Sequence, residues 1–160
     1  MSTIANTTVH KRNSLLRSIA VAALVIGTLD LIDLVVFYGW ATQTSAIAVM
    51  QYYASGALGL AAFAGGVATA LLGLVFHYGV SFVVAAVFIV SANQLQVLRR
   101  HVILGGLLYG LAVYVVMNFI VLPLSAAPPI PFSMIALIQG IVAHVLLVGL
   151  PPALIVQRQV

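Results

Sequence analysis

The chain has 160 residues, of which 64% are hydrophobic and only 5% charged, with six basic and two acidic side chains. A soluble domain carries about 25% charged residues, so this composition excludes one and indicates that lipid surrounds most of the chain. Cysteine is absent, which excludes disulfides and thiolate metal sites. The net charge of +4 comes from few basic residues placed beside apolar runs, so we expect no nucleic-acid binding.

Four apolar runs are long enough to cross a hydrocarbon core, which requires about 20 helical residues. The predicted spans cover residues 18–39, 67–90, 102–122 and 133–150. Tyr38-Gly39-Trp40 closes the first span as an aromatic anchor, whereas Pro123 and Pro151-Pro152 are predicted to end the third and fourth. The sequence therefore predicts an all-α four-helix bundle, with a basic N-terminal segment at 1–17 and one transmembrane domain at 18–156.

Residues 46–66, between the first two spans, are ambiguous. Apolar residues recur there at helical spacing, but Gln51 and Ser55 fall on another face, and Gly56, Gly59 and Gly65-Gly66 interrupt the run. A short helix that lies along the outer membrane surface, or a re-entrant segment, fits this pattern better than a fifth span.

The basic residues predict the orientation. In the four-span topology all six lie on one side of the membrane, and the two opposite loops carry none; they are Lys11, Arg12, Arg17, Arg99, Arg100 and Arg158. Because positive charge is retained in the cytoplasm, both termini are predicted to be cytoplasmic and the protein to be a multi-pass component of a bacterial inner (plasma) membrane.

The acidic residues of the chain, Asp30 and Asp33, both lie in the first span. A carboxylate at mid-bilayer costs about 2.5 to 3.5 kcal/mol even on mild scales, so the helical face that they share is predicted to point into the bundle. Counting about 1.5 Å per residue from the outer end of each span predicts two polar layers. The deep polar centre contains Asp30, His77 and His144; the outer polar layer contains Asp33, Asn118 and Gln139. Tyr114 is a further candidate partner.

Two interpretations of these layers stay open. In one, the aspartates accept interhelical hydrogen bonds and fix the helix arrangement, a contribution of about 0.6 kcal/mol per contact. In the other, Asp30, His77 and His144 form a titrating or ligating centre that relays protons or holds a divalent metal. Two histidines at similar depth also permit bis-imidazole haem ligation, although a chain without any cofactor is the leading expectation.

Small residues predict where helices approach closely. The candidate packing positions are Gly66, Gly73, Gly106, Gly110 and Gly140. Packing within the chain is the first interpretation, and a homo-oligomer or a larger membrane complex is the second. Phosphate-binding loops, zinc-protease spacing and nucleophile elbows are missing from the sequence, so we expect no enzyme.

Several motifs carry a resemblance to a known group. They are Gly27-Thr28-Leu29-Asp30, QYYASGALG at 51–59, Gly65-Gly66 through Gly73 to His77, Tyr114–Phe119, and Pro123–Ala126. From about Ile26 to Pro151 the chain resembles the YagU-like proteins, small bacterial membrane proteins with a domain of unknown function. The resemblance implies a four-span inner-membrane protein, names no substrate, and carries a loose link with acid tolerance. It also implies that the group's recurrent polar positions are Asp30, His77, Asn118 and His144.

These observations lead to three functional hypotheses. The first is a non-enzymatic membrane protein that uses its Asp/His centre for proton or cation handling, as a transporter, channel or sensor subunit. The second is a structural or assembly subunit without transport activity. The third is a b-type haem electron carrier.

Overall fold

The computed structural model describes residues 2–158, with side chains from Asn13 onward, and this part of the chain is all-helical. The side chains of Lys11 and Arg12, on which the predicted orientation partly depends, lie outside the described residues. The helices are α1 (Ser2–Thr42), α2 (Ala46–Leu58), a 3₁₀ turn (Gly59–Ala64), α3 (Gly66–Gln94), α4 (Gln96–Arg100), α5 (Val102–Val116), a π-helical segment (Met117–Val121), α6 (Leu122–Leu124), α7 (Met134–Ala143), a second π-helical segment (His144–Gly149) and α8 (Leu150–Gln157).

Local chemistry sets several of these boundaries. Gln43, directly after α1, has a φ of +57°, which ends the right-handed helix. The Ser45 side chain caps α2 by accepting a hydrogen bond from the Ala48 N–H at 3.2 Å, and Ser133 caps α7 in the same way. Gly59 and Gly66 adopt φ values of +58° and +55°, so the chain reverses sharply on either side of the 3₁₀ turn.

Five continuous helices of the described chain are long and apolar enough to cross a membrane. They cover Asn13–Thr42, Ala46–Ala64, Gly66–Gln94, Val102–Leu124 and Met134–Gln157. Each bears exposed Leu, Ile, Val or Phe side chains. Soluble proteins do not expose so much continuous apolar surface to water. The predicted class, an all-α membrane protein, is therefore confirmed, and Ala46–Ala64 joins the predicted spans in meeting the length and composition criteria.

Two helices continue through the prolines that were predicted to end them. The third predicted span extends past Pro123 to Leu124, and the fourth passes Pro151-Pro152 and ends at Gln157 rather than Leu150. Proline removes an N–H and crowds the carbonyl four residues earlier, and both π-helical segments lie where those carbonyls occur. The wider hydrogen-bonding pattern, seen where the Leu122 N–H reaches the Met117 carbonyl, lets the helix pass each proline.

A hydrophobic core occupies one end of the bundle. It combines α1, α3, α5, α8 and the second π-helical segment through small and branched side chains: Ile19, Ala22, Ala23, Ile26, Ala85, Phe88, Ile89, Ala92, Val102, Val148, Ala153 and Val156. The early part of α1 therefore packs beside the late part of α3, and the pair is antiparallel. The polar residues lie beyond this core, toward the end of α1 and the start of α3.

Glycines allow close helix contacts at four of the five predicted packing positions, against backbone at three of them and against a tyrosine ring at the fourth. A Cβ on Gly73 would overlap the Met50 carbonyl of α2, and one on Gly110 would overlap the backbone of His144. A Cβ on Gly106 would lie 2.6 Å from the Gly149 carbonyl oxygen, and one on Gly140 would lie 2.8 Å from the Tyr114 ring. Such positions exclude any side chain larger than hydrogen unless the helices separate.

Gly66 is the exception, because it makes no close helix contact within the described chain. Nothing lies within 4 Å of a Cβ built there. The positive φ of +55° at the start of α3 explains a glycine at this position instead.

A candidate polar centre inside the bundle

Asp30 is buried in the bundle, with 9% of its surface exposed. The groups that interact with it electrostatically include His144 and His77, which come from different helices. One carboxyl oxygen, Oδ1, is buried and has no hydrogen-bond partner among the described residues. Since a buried polar atom without a partner costs about 1 to 3 kcal/mol, this oxygen marks unused binding capacity at the middle of the site.

His77 reaches α1 from the middle of α3. Its Nε2 lies 2.8 Å from the Gly27 carbonyl oxygen, which only accepts, so Nε2 carries the hydrogen and donates. The ring packs against Tyr53, with centroids 4.5 Å apart, and against Tyr78 at 5.6 Å. In the neutral imidazole the second nitrogen, Nδ1, is then the acceptor.

His144 occupies the first position of the second π-helical segment. Its Nδ1 lies 2.9 Å from the Gly140 carbonyl and donates to it, which leaves Nε2 as the acceptor of the neutral ring. The ring meets the edge of Tyr114, with centroids 5.3 Å apart. Each histidine is thus paired with a tyrosine from a different helix and held by one backbone carbonyl.

The outer polar layer is only partly assembled. The Gln139 amide donates a hydrogen bond to Oδ2 of Asp33 and joins α7 to α1. The Asn118 amide instead donates to the Tyr114 carbonyl on its own helix, at 3.0 Å. The structure therefore brings together two of the three residues predicted for this layer and gives the third a local bond.

Tyr53 is the member of the site that sequence reasoning missed. The helical spacing of the 46–66 segment groups this residue with the apolar side chains, but in the structure its hydroxyl is buried without a hydrogen-bond partner among the described residues, like Oδ1 of Asp30. Asp30 also interacts electrostatically with it. The available signal was the tyrosine itself, because this amphipathic side chain in an apolar stretch normally turns its hydroxyl toward something polar.

A metal or a haem does not fit the histidines as they are placed. No group of three His, Cys, Asp or Glu side chains arranged to hold a metal occurs among the described residues, so the suggested Asp30, His77 and His144 ligand set has no geometric support. A haem ligand requires a free Nε2, and His144 has one. His77 does not, because its Nε2 donates a hydrogen bond to the Gly27 carbonyl. Bis-imidazole ligation would therefore require His77 to leave both Gly27 and Tyr53.

We expect the replacement Gln139→Leu to lower the free energy of unfolding by about 1 to 2 kcal/mol, because Asp33 loses its interhelical donor. The control Asn118→Leu removes a bond within one helix and should change it by less than about 0.5 kcal/mol. Reversible unfolding of both variants in detergent micelles gives the comparison. Equal losses in the two variants would contradict the assigned role of the Asp33–Gln139 bond.

The fold and these contacts define an all-helical membrane protein with polar groups inside its helix bundle. No family model, curated protein or solved structure matches the chain. The resemblance to the YagU-like group accordingly stays a prediction that depends on the motifs quoted above.

Proposed function

We propose that this protein handles protons or small cations through the centre formed by Asp30, His77 and His144, as a small transporter, channel or sensor subunit. One observation supports the proposal: the Asp30 carboxyl group is buried, interacts electrostatically with two histidines, and has an oxygen with no hydrogen-bond partner among the described residues. Ionisable groups inside membrane bundles are costly and commonly mark ion or proton pathways.

Protons fit this centre better than divalent cations do. Each histidine donates one N–H to a backbone carbonyl and keeps one acceptor nitrogen, so each ring can gain and release a proton without leaving its place. A divalent cation would require several converging ligands, and the described residues provide no group of three His, Cys, Asp or Glu side chains that could hold one.

The proposed topology has four spans, with α2 and the following 3₁₀ turn forming a re-entrant or interfacial segment on the outer side. The contact between Thr28 and Tyr78, at 2.9 Å, sets the relative level of the antiparallel helices α1 and α3. From this level, Thr42 lies about 21 Å and Gly66 about 18 Å toward the same end. The segment between them therefore starts and finishes at similar depth, which favours a return over a crossing.

Contacts of α2 support the same topology. Its Tyr52 hydroxyl donates to the Pro128 carbonyl at 3.2 Å, and its Gly56 carbonyl accepts from the Ala126 N–H at 2.9 Å. Both partners lie in the loop after α6, at the end of the bundle opposite the arginines Arg99 and Arg100. We place that loop outside and both termini in the cytoplasm of a bacterial cell, by the positive-inside rule.

Cysteine accessibility tests this topology, because the chain has no native cysteine to remove. We expect the single variants Thr44→Cys and Ala64→Cys both to react with an impermeant thiol reagent applied outside intact cells, whereas Asn93→Cys reacts only after lysis. If α2 crosses the membrane, Thr44→Cys and Ala64→Cys will lie on opposite sides, so only one of them will react before lysis, and Asn93→Cys will react like Thr44→Cys.

The function itself is tested by reconstitution. Purified protein in proteoliposomes should dissipate an imposed pH gradient, followed with an entrapped pH-sensitive dye, faster than protein-free vesicles of the same lipid. Repeating the measurement with Na⁺, K⁺ or Mg²⁺ gradients identifies the ion. A rate equal to that of empty vesicles for every ion contradicts the proposal.

A structural or assembly subunit is the second candidate, and one observation favours it. One face of the Val102–Leu124 helix carries exposed apolar side chains, which can meet lipid or another membrane protein: Leu104, Leu108, Leu111, Val115 and Phe119. This candidate expects aspartate variants to change the abundance of a complex, with no ion flux to lose.

A further inference from the structure

Tyr53 differs from Tyr52 and Tyr109, two tyrosines whose hydroxyl groups are hydrogen-bonded. The Tyr52 hydroxyl donates to the Pro128 carbonyl and the Tyr109 hydroxyl donates to the Val84 carbonyl at 2.8 Å. The hydroxyl of Tyr53 is buried and has no partner, while its ring is fixed against His77. A phenylalanine would fill this position at lower cost, so packing alone does not explain the hydroxyl.

The described residues contain two buried side-chain polar atoms without a hydrogen-bond partner, and both belong to this site. They are the Tyr53 hydroxyl and Oδ1 of Asp30. Native structures leave few such atoms, and each one calls for an explanation. Two of them in one centre, around the same histidine, point to a shared ligand.

The absence of a direct bond between the two groups suggests what that ligand is. Asp30 and Tyr53 interact electrostatically, but neither unpartnered oxygen bonds to the other. A water molecule placed between the two oxygens would satisfy both atoms, and a buried water normally makes about three hydrogen bonds. The acceptor nitrogen of His77 is available nearby as a third polar group.

We propose that Tyr53 and Asp30 bind a common water molecule, which makes Tyr53 a positioning residue of the polar centre. In this arrangement α2 contributes to the site, with His77 from α3, His144 from the second π-helical segment, and Asp33 on α1 as the neighbouring titratable groups. The role in transport rests on the proposed function. A proton arriving on this water passes to Oδ1, which leaves a neutral water molecule and a carboxylic acid.

Tyr53→Phe is the direct test, with Tyr52→Phe as the matched control on the same helix. We expect Tyr53→Phe to reduce proton flux in proteoliposomes by about tenfold or more, because the water is no longer held against the carboxyl group. Its thermal unfolding temperature should change little, since the hydroxyl makes no hydrogen bond with another described residue and only its contact with the water is lost. Tyr52→Phe should show the opposite pattern: lower stability through loss of the Pro128 bond, with normal flux.

A second readout separates this inference from the proposed function. The infrared band of the protonated Asp30 carboxyl group should shift in Tyr53→Phe and not in Tyr52→Phe, because only the first variant alters its hydrogen bonding. A shifted band in a protein without ion flux supports the water site and contradicts the function. If Asp30→Asn abolishes flux while Tyr53→Phe changes neither flux nor the band, the inference is wrong and the function stands.

Discussion

The replacement Asp30→Asn is expected to abolish pH-dependent ion flux in proteoliposomes, a reduction of at least about 100-fold, while the protein still inserts and folds. The size follows from the chemistry: a positioned proton-transferring group contributes about 10²- to 10⁴-fold, and an amide does not exchange protons in its place. Asparagine has nearly the same shape, so the packing around the buried side chain is kept.

The replacement Asp30→Asn should not lower the stability of the folded protein. Placing an aspartate at the helix centre costs about 2.5 to 3.5 kcal/mol on insertion scales, and the neutral amide avoids most of that cost. Oδ1 of Asp30 makes no hydrogen bond with another described residue that the variant would lose. We therefore expect an unfolding temperature equal to or above that of the unmodified protein, measured by thermal unfolding in the same detergent.

Asp33→Asn is the control for this prediction. Asp33 is half-buried and bonded to Gln139, so its replacement should weaken a helix contact and leave most of the flux. Full flux in Asp30→Asn would contradict the assignment of Asp30. A loss of flux that is matched by a loss of folded protein would assign Asp30 a structural role instead.

The replacement Gly110→Leu is expected to have the largest effect on stability, at least about 4 kcal/mol, and to leave little folded protein. A Cβ at this position would overlap the carbonyl and backbone of His144. Backbone atoms cannot rotate aside as a side chain does, so α5 and the second π-helical segment would have to separate along the contact that also joins Gly106 to Gly149.

Gly105→Leu is the matched control, because it inserts the same side chain five residues earlier on the same helix. Its Cβ would meet the Leu98 side chain at 2.5 Å, and a flexible leucine end can move. The comparison uses the yield of monodisperse protein after detergent extraction and its thermal unfolding. Similar yields for both variants would show that the close approach at Gly110 does not hold the helices together.

The sequence was sufficient to predict what depends on composition and on the cost of burying charge. The apolar runs require lipid, and two aspartates in one run must turn toward other polar groups, which led to His77, His144 and Gln139 before any contact was known. Asn118 was placed by depth alone, and depth does not reveal whether an amide prefers another helix or the carbonyl one turn back on its own.

Other features depend on tertiary contacts or on irregular backbone geometry, and they could not be predicted from the sequence. A proline in an apolar run predicts a helix end, but Pro123 and Pro151 follow π-helical segments that let the helix continue. The contribution of Tyr53 appears only once α2 is packed across α3, because helical periodicity alone assigns its ring to an apolar face.

Infrared spectroscopy of the reconstituted protein tests the central claim most directly, because Asp30 and Asp33 are the only acidic side chains of the chain. Difference spectra across a pH titration in H₂O and D₂O, compared with those of Asp30→Asn and Asp33→Asn, assign each carboxyl band. We predict that a band lost in Asp30→Asn responds to external pH and shifts on deuteration, as a buried group reached by protons must. A band for Asp30 that neither titrates nor exchanges in the folded protein would contradict a proton-handling centre.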